Sequence, residues 1–252
     1  MSLTELFNDV SDIIFPPQCP ACAEIINLPK SRVFCAPCQE KISFITGSIC
    51  PICGIPFGES SAGSHICGNC LTNKPFYTQA RSVAGFETVI MDTIHKFKYG
   101  GSVSLGNALG SFMADFSFPN FDFSEYSLLI PVPLHITRLR ERGFNQSLLL
   151  AKELEKKYNL PLNFSLLKRC KFTLTQTGLN KNEREKNIKG AFVVADKKKI
   201  AGENIILIDD VYTTGATINE CARVLLKAGA QKVAVLTLAR VLQKPAQYKD
   251  SS

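Results

Sequence analysis

The chain has 252 residues, 45% of them hydrophobic, and 29 Lys/Arg against 22 Asp/Glu give a net charge of +7. That length suits one α/β domain plus something smaller. No apolar run reaches the roughly eighteen residues of a membrane span, and the N-terminus MSLTELFNDVSDIIFPP has acids but no basic segment, unlike a secretory signal. A cytoplasmic protein is expected.

In chain order, the first predicted element is a helix. Ser2 and Glu5 fit a capping box, and Leu3, Leu6, Phe7, Val10, Ile13 and Ile14 follow at helical spacing up to Pro16-Pro17. Its polar face is acidic, so the helix is expected to pack on the protein and not on a membrane.

Four Cys-x-x-Cys pairs come next: CPAC (Cys19, Cys22), CAPC (Cys35, Cys38), CPIC (Cys50, Cys53) and CGNC (Cys67, Cys70), separated by 12, 11 and 13 residues. Each pair forms a knuckle offering two thiolates, and two knuckles complete a tetrahedral four-cysteine site, so eight thiolates make two sites. A reducing compartment disfavours disulfides, and a redox motif needs one such pair, not four. The ribbon-like spacing favours zinc over an iron–sulfur cluster, and sequential pairing of the knuckles over crossed pairing. His65 could substitute as a ligand, but eight thiolates make that unnecessary; Cys170 and Cys221 are expected to be non-ligands. With every position filled by protein the two Zn2+ sites are structural. Few large apolar residues lie between Pro16 and Pro75, so the metal is expected to supply much of this segment's folding energy. Residues 1–75 are thus assigned to a helix and double zinc-ribbon module, and residues 76–252 to the larger domain.

In the larger domain, residues 101–118 carry a helical stripe of Leu105, Ala108, Leu109, Phe112 and Phe116. A strand is expected over 127–132. RLRERGFNQ then leads into a helix over 147–158, where Glu153 and Lys157 form an i,i+4 pair. Further strands are expected over 162–167 and 191–194, with a polar, movable loop between them. NIILIDDVYTTGAT follows: Ile205 to Ile208 read as a buried parallel strand, and Cys221, Val224, Leu225 and Ala228 share one face of a helix that stops at Gly229. A last strand covers 233–239. Alternating strands and helices give an α/β parallel sheet, whose ligands bind at the carboxyl ends of its strands.

Asp209 and Asp210 stand at such an end. They can accept hydrogen bonds from vicinal hydroxyls, while backbone N–H groups of the turn Thr213, Thr214, Gly215, Ala216 and Thr217 point outward at a helix N-terminus, as in phosphate sites. A sugar 5-phosphate fits both halves. Charge is uneven: residues 1–78 carry four basic and six acidic groups, whereas residues 137–189 alone carry 13 basic and five acidic. Such a patch is either a solvated surface or a site for phosphates.

The stretch Asp209 to Thr217 resembles the 5-phosphoribosyl-1-pyrophosphate (PRPP) motif of type I phosphoribosyltransferases. The resemblance implies that Asp209 and Asp210 hold the ribose hydroxyls and that Thr213 to Thr217 cradle the 5-phosphate. It also implies Mg2+ held mainly by ligand oxygens, a pyrophosphate loop after LLIPVPL, and a flexible loop over Thr173–Lys189. With HKFKYGG (95–101), PVPLHITRLRERGFNQ (131–146) and the double four-cysteine module, nearly the whole chain is similar to the ComF family of bacterial competence proteins. That implies a type I phosphoribosyltransferase-like parallel sheet with a small N-terminal double zinc ribbon. It further implies action on single-stranded DNA entering the cell in natural transformation, with other competence proteins at the cytoplasmic face of the membrane as partners. Lys96, Lys98, Arg138, Arg140 and Arg142, interleaved with Phe97, Tyr99 and Phe144, serve either a DNA strand or the pyrophosphate of PRPP, Phe97 and Phe144 then being core. The 35 residues after Thr217 hold a helix, a strand and a polar tail whose only aromatic is Tyr248, so no base-stacking hood is expected there. Two functions follow: a PRPP- and DNA-binding competence factor, or a cytoplasmic phosphoribosyltransferase with an unidentified acceptor.

Overall fold

Strand β5 (Asn204–Tyr212) organises the molecule, because its apolar residues face both ways. Ile206 and Ile208 enter one hydrophobic cluster and Ile205 and Leu207 the other, so the sheet is covered on both sides. The computed structural model describes residues 16, 18–26, 33–58, 63–171 and 187–242. The helix expected over residues 2–14 and nearly all of the loop expected over 173–189 lie outside them.

In chain order, the N-terminal module contributes α1 (Ala36–Gln39) and α2 (Gly68–Thr72), each a short turn carrying a cysteine. β1 (Gln79–Gly85), α3 (Thr88–Tyr99), α4 (Val103–Asp115), β2 (Leu128–Pro131), α5 (Ile136–Arg142) and α6 (Gln146–Tyr158) follow. β3 (Leu167–Arg169), β4 (Phe192–Val194), β5, α7 (Ala216–Lys227) and β6 (Lys232–Arg240) complete the described α-helices and strands, and a 3-10 turn, Phe123–Glu125, precedes β2. The main sheet has the order β1-β6-β5-β2 with every pair parallel. Helices α3, α4 and α6 pack on one face through Ile94, Phe97, Leu109, Met113, Leu150 and Leu154. Helix α7 covers the other face through Ile218, Cys221 and Leu225, as the spacing of its apolar residues predicts.

Three expectations need correction. The strands expected over 162–167 and 191–194 do not extend the parallel sheet but form a separate antiparallel ribbon, β3–β4. Leu167 and Phe192 are buried while Lys168 and Val193 are exposed, and a ribbon with one wet face suits antiparallel pairing. Residue 162 keeps only a bridge to Leu129. Second, Glu153 pairs with Lys156 at 2.6 Å, not with Lys157, whose ammonium reaches Asp115 on α4 at 2.6 Å. Third, β5 does not stop at Ile208. Its ladder with β6 runs on through Asp209↔Thr237 to Tyr212↔Arg240, whereas β2 pairs only as far as Pro131↔Ile208.

The N-terminal module is built into the sheet. Residues 43–45 add an antiparallel bridge to the outer edge of β1, with Gly85 N donating to Ser43 O and Ile45 N to Val83 O, both 2.9 Å. Ala80 N donates to Ile52 O at 2.7 Å. An edge that would otherwise offer unpaired backbone groups is thereby closed.

Candidate functional site

Because β2 ends opposite Ile208, Asp209 and Asp210 ride on a strand paired to β6 on one side and open on the other. Helix α6, which precedes β5, covers one face of the sheet, and α7, which follows it, covers the other. The crevice between the ends of β2 and β5 is therefore the point where the connections diverge, the place where open α/β sheets bind ligands.

Side chains from three other elements surround the acid pair. Asp209 Oδ1 accepts from Ser147 Oγ at the start of α6 and from Asp210 N, each at 2.9 Å. Asp210 is 8% exposed, and its Oδ2 meets Lys98 Nζ, from the end of α3, at 2.8 Å. Burial and then the charge of Asp210 push the Asp209 carboxyl up to about 7, opposed by its hydrogen bonds and by Lys98. Arg169 on β3 also feels the Asp209 charge; burial lowers its guanidinium below the ordinary arginine range. The segment after β2 is fixed by Asn145, which caps α6 and donates to Val132 O at 3.1 Å.

Beyond the pair, the chain turns through Thr213 and Thr214 to Gly215, the N-cap of α7, at φ +79°. Gly215 has no side chain with which to cap this helix, and a glycine-led helix N-terminus is the kind of place where phosphates bind. Only glycine fits here: a Cβ would lie 2.4 Å from the Tyr212 hydroxyl, which packs beneath the turn. Thr214 Oγ1 is buried without a hydrogen-bond partner. The turn also borders a pocket shared with the N-terminal module, lined by Thr214, Ala216 and Asn219 on one side and Asn69, Cys70 and Asn73 on the other.

The basic residues singled out in the sequence do not form one track. Lys98 reaches the acid pair, but Lys96 Nζ donates to Pro20 O and Ala21 O in the first knuckle, at 2.9 and 3.0 Å. Arg138 faces Glu141, and Arg142 donates to Gln146 Oε1 at 3.0 Å and lies 5.7 Å over the Tyr99 ring. Arg140 is exposed. Of the two readings of Phe97 and Phe144, the core one holds: Phe97 is fully buried and stacks on Phe144 at 5.7 Å. Both rings serve the core because α3 must anchor its apolar face there. Tyr99, 75% exposed, is the aromatic that reaches solvent.

The cysteines gather as two groups, Cys19, Cys22, Cys35 and Cys38, and Cys50, Cys53, Cys67 and Cys70, with sulfurs within 4.8 Å of one another in each. This is the sequential pairing. The Cys22–Cys35 and Cys53–Cys67 sulfurs stand 3.5 and 3.6 Å apart, close to the edge of about 3.8 Å of a tetrahedron with 2.3 Å zinc–sulfur bonds. Four soft thiolates with no open position fit a structural zinc ion. His65 stands aside, its ring stacked on Phe57 at 3.9 Å, and Cys170 and Cys221 belong to neither group.

Sequence reasoning missed Ser147 and the pairing of Lys98 with Asp210. It also missed two buried arginines: Arg81 Nη1 donates to Pro51 O at 3.1 Å and Arg240 Nη1 to Cys53 O at 2.5 Å. The available signal was an arginine in each of two strands made mainly of small and apolar residues, a costly placement without partners.

The double zinc ribbon family model matches residues 10–71, and the phosphoribosyl transferase domain model matches residues 145–252. Competence protein F of Haemophilus influenzae is 30% identical over 88% of this chain and 96% of its own length. Competence protein ComFC of Bacillus subtilis is 34% identical over 84% of this chain and 85% of its own. DNA utilization protein YhgH of Escherichia coli is 31% identical over 77% and 85%. A phosphoribosyltransferase-like parallel sheet joined to a double zinc ribbon, with relatives matched over most of both chains, places this chain in the ComF family of competence proteins.

Proposed function

We propose that this chain binds PRPP with Mg2+ at Asp209, Asp210 and the turn Thr213–Thr217, and binds single-stranded DNA, as a cytoplasmic factor in DNA uptake. The observation that carries the PRPP reading is the acid pair opening into the β2–β5 crevice directly before a glycine-led helix N-terminus. One half accepts the ribose hydroxyls and the other donates to the 5-phosphate. Lys98, held at Asp210 in the free protein, is the cation this site offers to the pyrophosphate. Two Zn2+ ions held by Cys19, Cys22, Cys35 and Cys38 and by Cys50, Cys53, Cys67 and Cys70 brace the N-terminal module. The competence and DNA-utilization names of the relatives support the DNA reading. For DNA, the surface is Tyr99 with Arg138, Arg140 and Arg142: a wet ring for bases beside cations for phosphates.

Calorimetry tests the first claim: Asp209→Ala and Asp210→Ala should each weaken PRPP·Mg2+ binding by about tenfold or more, the worth of a charge-assisted hydrogen bond. Unchanged affinity in both would sink the assignment. A DNA titration across salt tests the second. Affinity should fall with log salt at about −0.7 per phosphate contacted, and replacing Arg138, Arg140 and Arg142 together should flatten the slope by about two units. An unchanged slope refutes this surface. Transfer of the phosphoribosyl group to an acceptor is the second reading, favoured by a carboxyl poised near neutrality in the crevice. PRPP consumption, measured on the same preparation, separates the two.

A further inference from the structure

The second four-cysteine cluster and the phosphate turn are joined by a short, buried chain of contacts. Cys53 O, in the cluster's own knuckle, accepts from Arg240 Nη1. The Arg240 guanidinium, 3% exposed, lies 4.7 Å over the Tyr212 ring. Tyr212 hydrogen-bonds Tyr77 at 2.7 Å, hydroxyl to hydroxyl, and its hydroxyl lies directly beneath Gly215. A parallel strut runs outside: Phe76 N, just past the last knuckle, donates to Asn219 Oδ1 in the first turn of α7 at 2.7 Å. The pocket lined by Cys70, Asn73, Thr214 and Gly215 shows the same adjacency.

From these contacts we infer that the second four-cysteine cluster positions the turn that cradles the ligand phosphate, with Arg240 and Tyr212 as positioning residues, so that phosphate affinity depends on the metal state of that cluster. The inference rests on the reading of Thr213–Thr217 as a phosphate site. The physical case is one of rigidity. The turn needs its N–H groups convergent before the ligand arrives, and Gly215 supplies no side chain to hold them. The Tyr212 phenol fills the space below, and it is itself clamped from below by a guanidinium tethered to the knuckle carbonyl. A metal that closes the knuckle fixes that carbonyl; a loosened knuckle frees Arg240, and with it the floor of the turn. Interiors transmit such displacements because they are close-packed.

The matched test removes the most accessible thiol of each cluster, Cys67→Ser and Cys22→Ser, in the full chain. Zinc content, ribose 5-phosphate affinity and amide exchange at residues 215–217 are then measured. Each variant should lose about one zinc. Cys67→Ser should lose about tenfold more affinity than Cys22→Ser and exchange its turn amides faster. Tyr212→Phe and Arg240→Lys keep the thiols intact, and should retain both zinc ions yet bind about threefold more weakly. These two keep the idea open to refutation should Cys67→Ser fail to fold. Parental affinity and parental exchange in both would overturn it while leaving the PRPP reading standing. Failure of the parent protein to bind either ribose 5-phosphate or PRPP·Mg2+ would overturn the phosphate reading and this inference together.

Discussion

The two four-cysteine clusters have the same ligands and nearly the same spacing, yet they occupy different environments. The first packs against the helical face of the sheet: Cys19, Phe34, Cys35, Cys38 and Ile42 join the cluster of α3, α4 and α6, with Phe34 edge-on to Phe112 at 5.2 Å. Its knuckle carbonyls are met by an exposed lysine, Lys96. The second has a small apolar shell of its own, Ile52, Ile55 and Phe57, and its knuckle carbonyls are met by two buried arginines. One device, a cation on the carbonyls of a Cys-x-x-Cys turn, is thus wet in one copy and dry in the other. A charge-assisted hydrogen bond is weakened by competing water at the surface and strengthened in the interior. The first cluster is therefore held by apolar packing and the second by polar wiring.

Metal removal should break both halves of this comparison with the largest effect. Binding of structural zinc is worth about 10–16 kcal/mol in small ribbons, and the described core of the second cluster is too small to fold without it. A fresh, reduced preparation should hold two zinc ions per chain. A chelator should release both and expose the edge of β1, read as loss of amide protection at Ile45 and Gly85. Fewer than one zinc per chain would overturn the assignment.

Gly54→Ala comes next. Gly54 sits at φ +72° beside the third knuckle, and a Cβ there would lie 2.3 Å from Ala80 O on β1. Strand backbone cannot step aside, so overpacking and left-handed strain together should cost about 3 kcal/mol. Gly47→Ala has the same strain, at φ +77°, with nothing within 4 Å, and should cost only about 1 kcal/mol. Equal losses in chemical denaturation would mean that the second ribbon is not docked as described. Arg240→Met against Lys96→Met is finer still: about 2–3 kcal/mol for the buried donor and under about 1 kcal/mol for the exposed one.

Much of this was legible in the chain. Cys spacing alone predicts both thiolate groups and their sequential pairing, because a knuckle is a local structure. The apolar run 205–208 and the periodicity of α7 predict the βαβ unit for the same reason. What could not be read was anything set by register across the sheet. Asp209 lies in the crevice because β2 stops opposite Ile208, and no local pattern records where a neighbouring strand stops. Likewise Lys96 and Lys98, two residues apart, diverge to the first knuckle and to Asp210 because a helix separates them by about 200°. The same rotation sends Phe97 inward, so HKFKY is one basic-aromatic patch only along the chain.

The acid pair, which neither cluster reaches through a buried contact, supplies the smallest and most discriminating prediction. Burial and the neighbouring Asp210 charge push the Asp209 carboxyl up to about 7, above the value of about 3.9 for an unfolded chain. A raised carboxyl keeps its proton in the folded state over a range where the unfolded chain has lost it. Its contribution to stability is thus intact at low pH and is lost as pH rises through about 7. Asn cannot ionise, so Asp209→Asn should remove this slope. Relative to the parent, the variant should gain stability between pH 5 and 8. Asp209 is only partly buried and solvent screens its charge, so a gain on the order of 1 kcal/mol is expected. For a protein of this size that is roughly 2–4 °C in thermal midpoint. Comparing variant with parent at each pH cancels the pH dependence of the thiolate clusters, which both proteins share. The same substitution should weaken PRPP binding, since an amide is a poorer acceptor for ribose hydroxyls. A variant that is more stable at pH 8 and binds less well would mark Asp209 as a residue kept for its ligand against the interest of the fold. Parallel pH profiles for the two proteins would show that its charge is not strained, and that the crevice is wetter than its geometry implies.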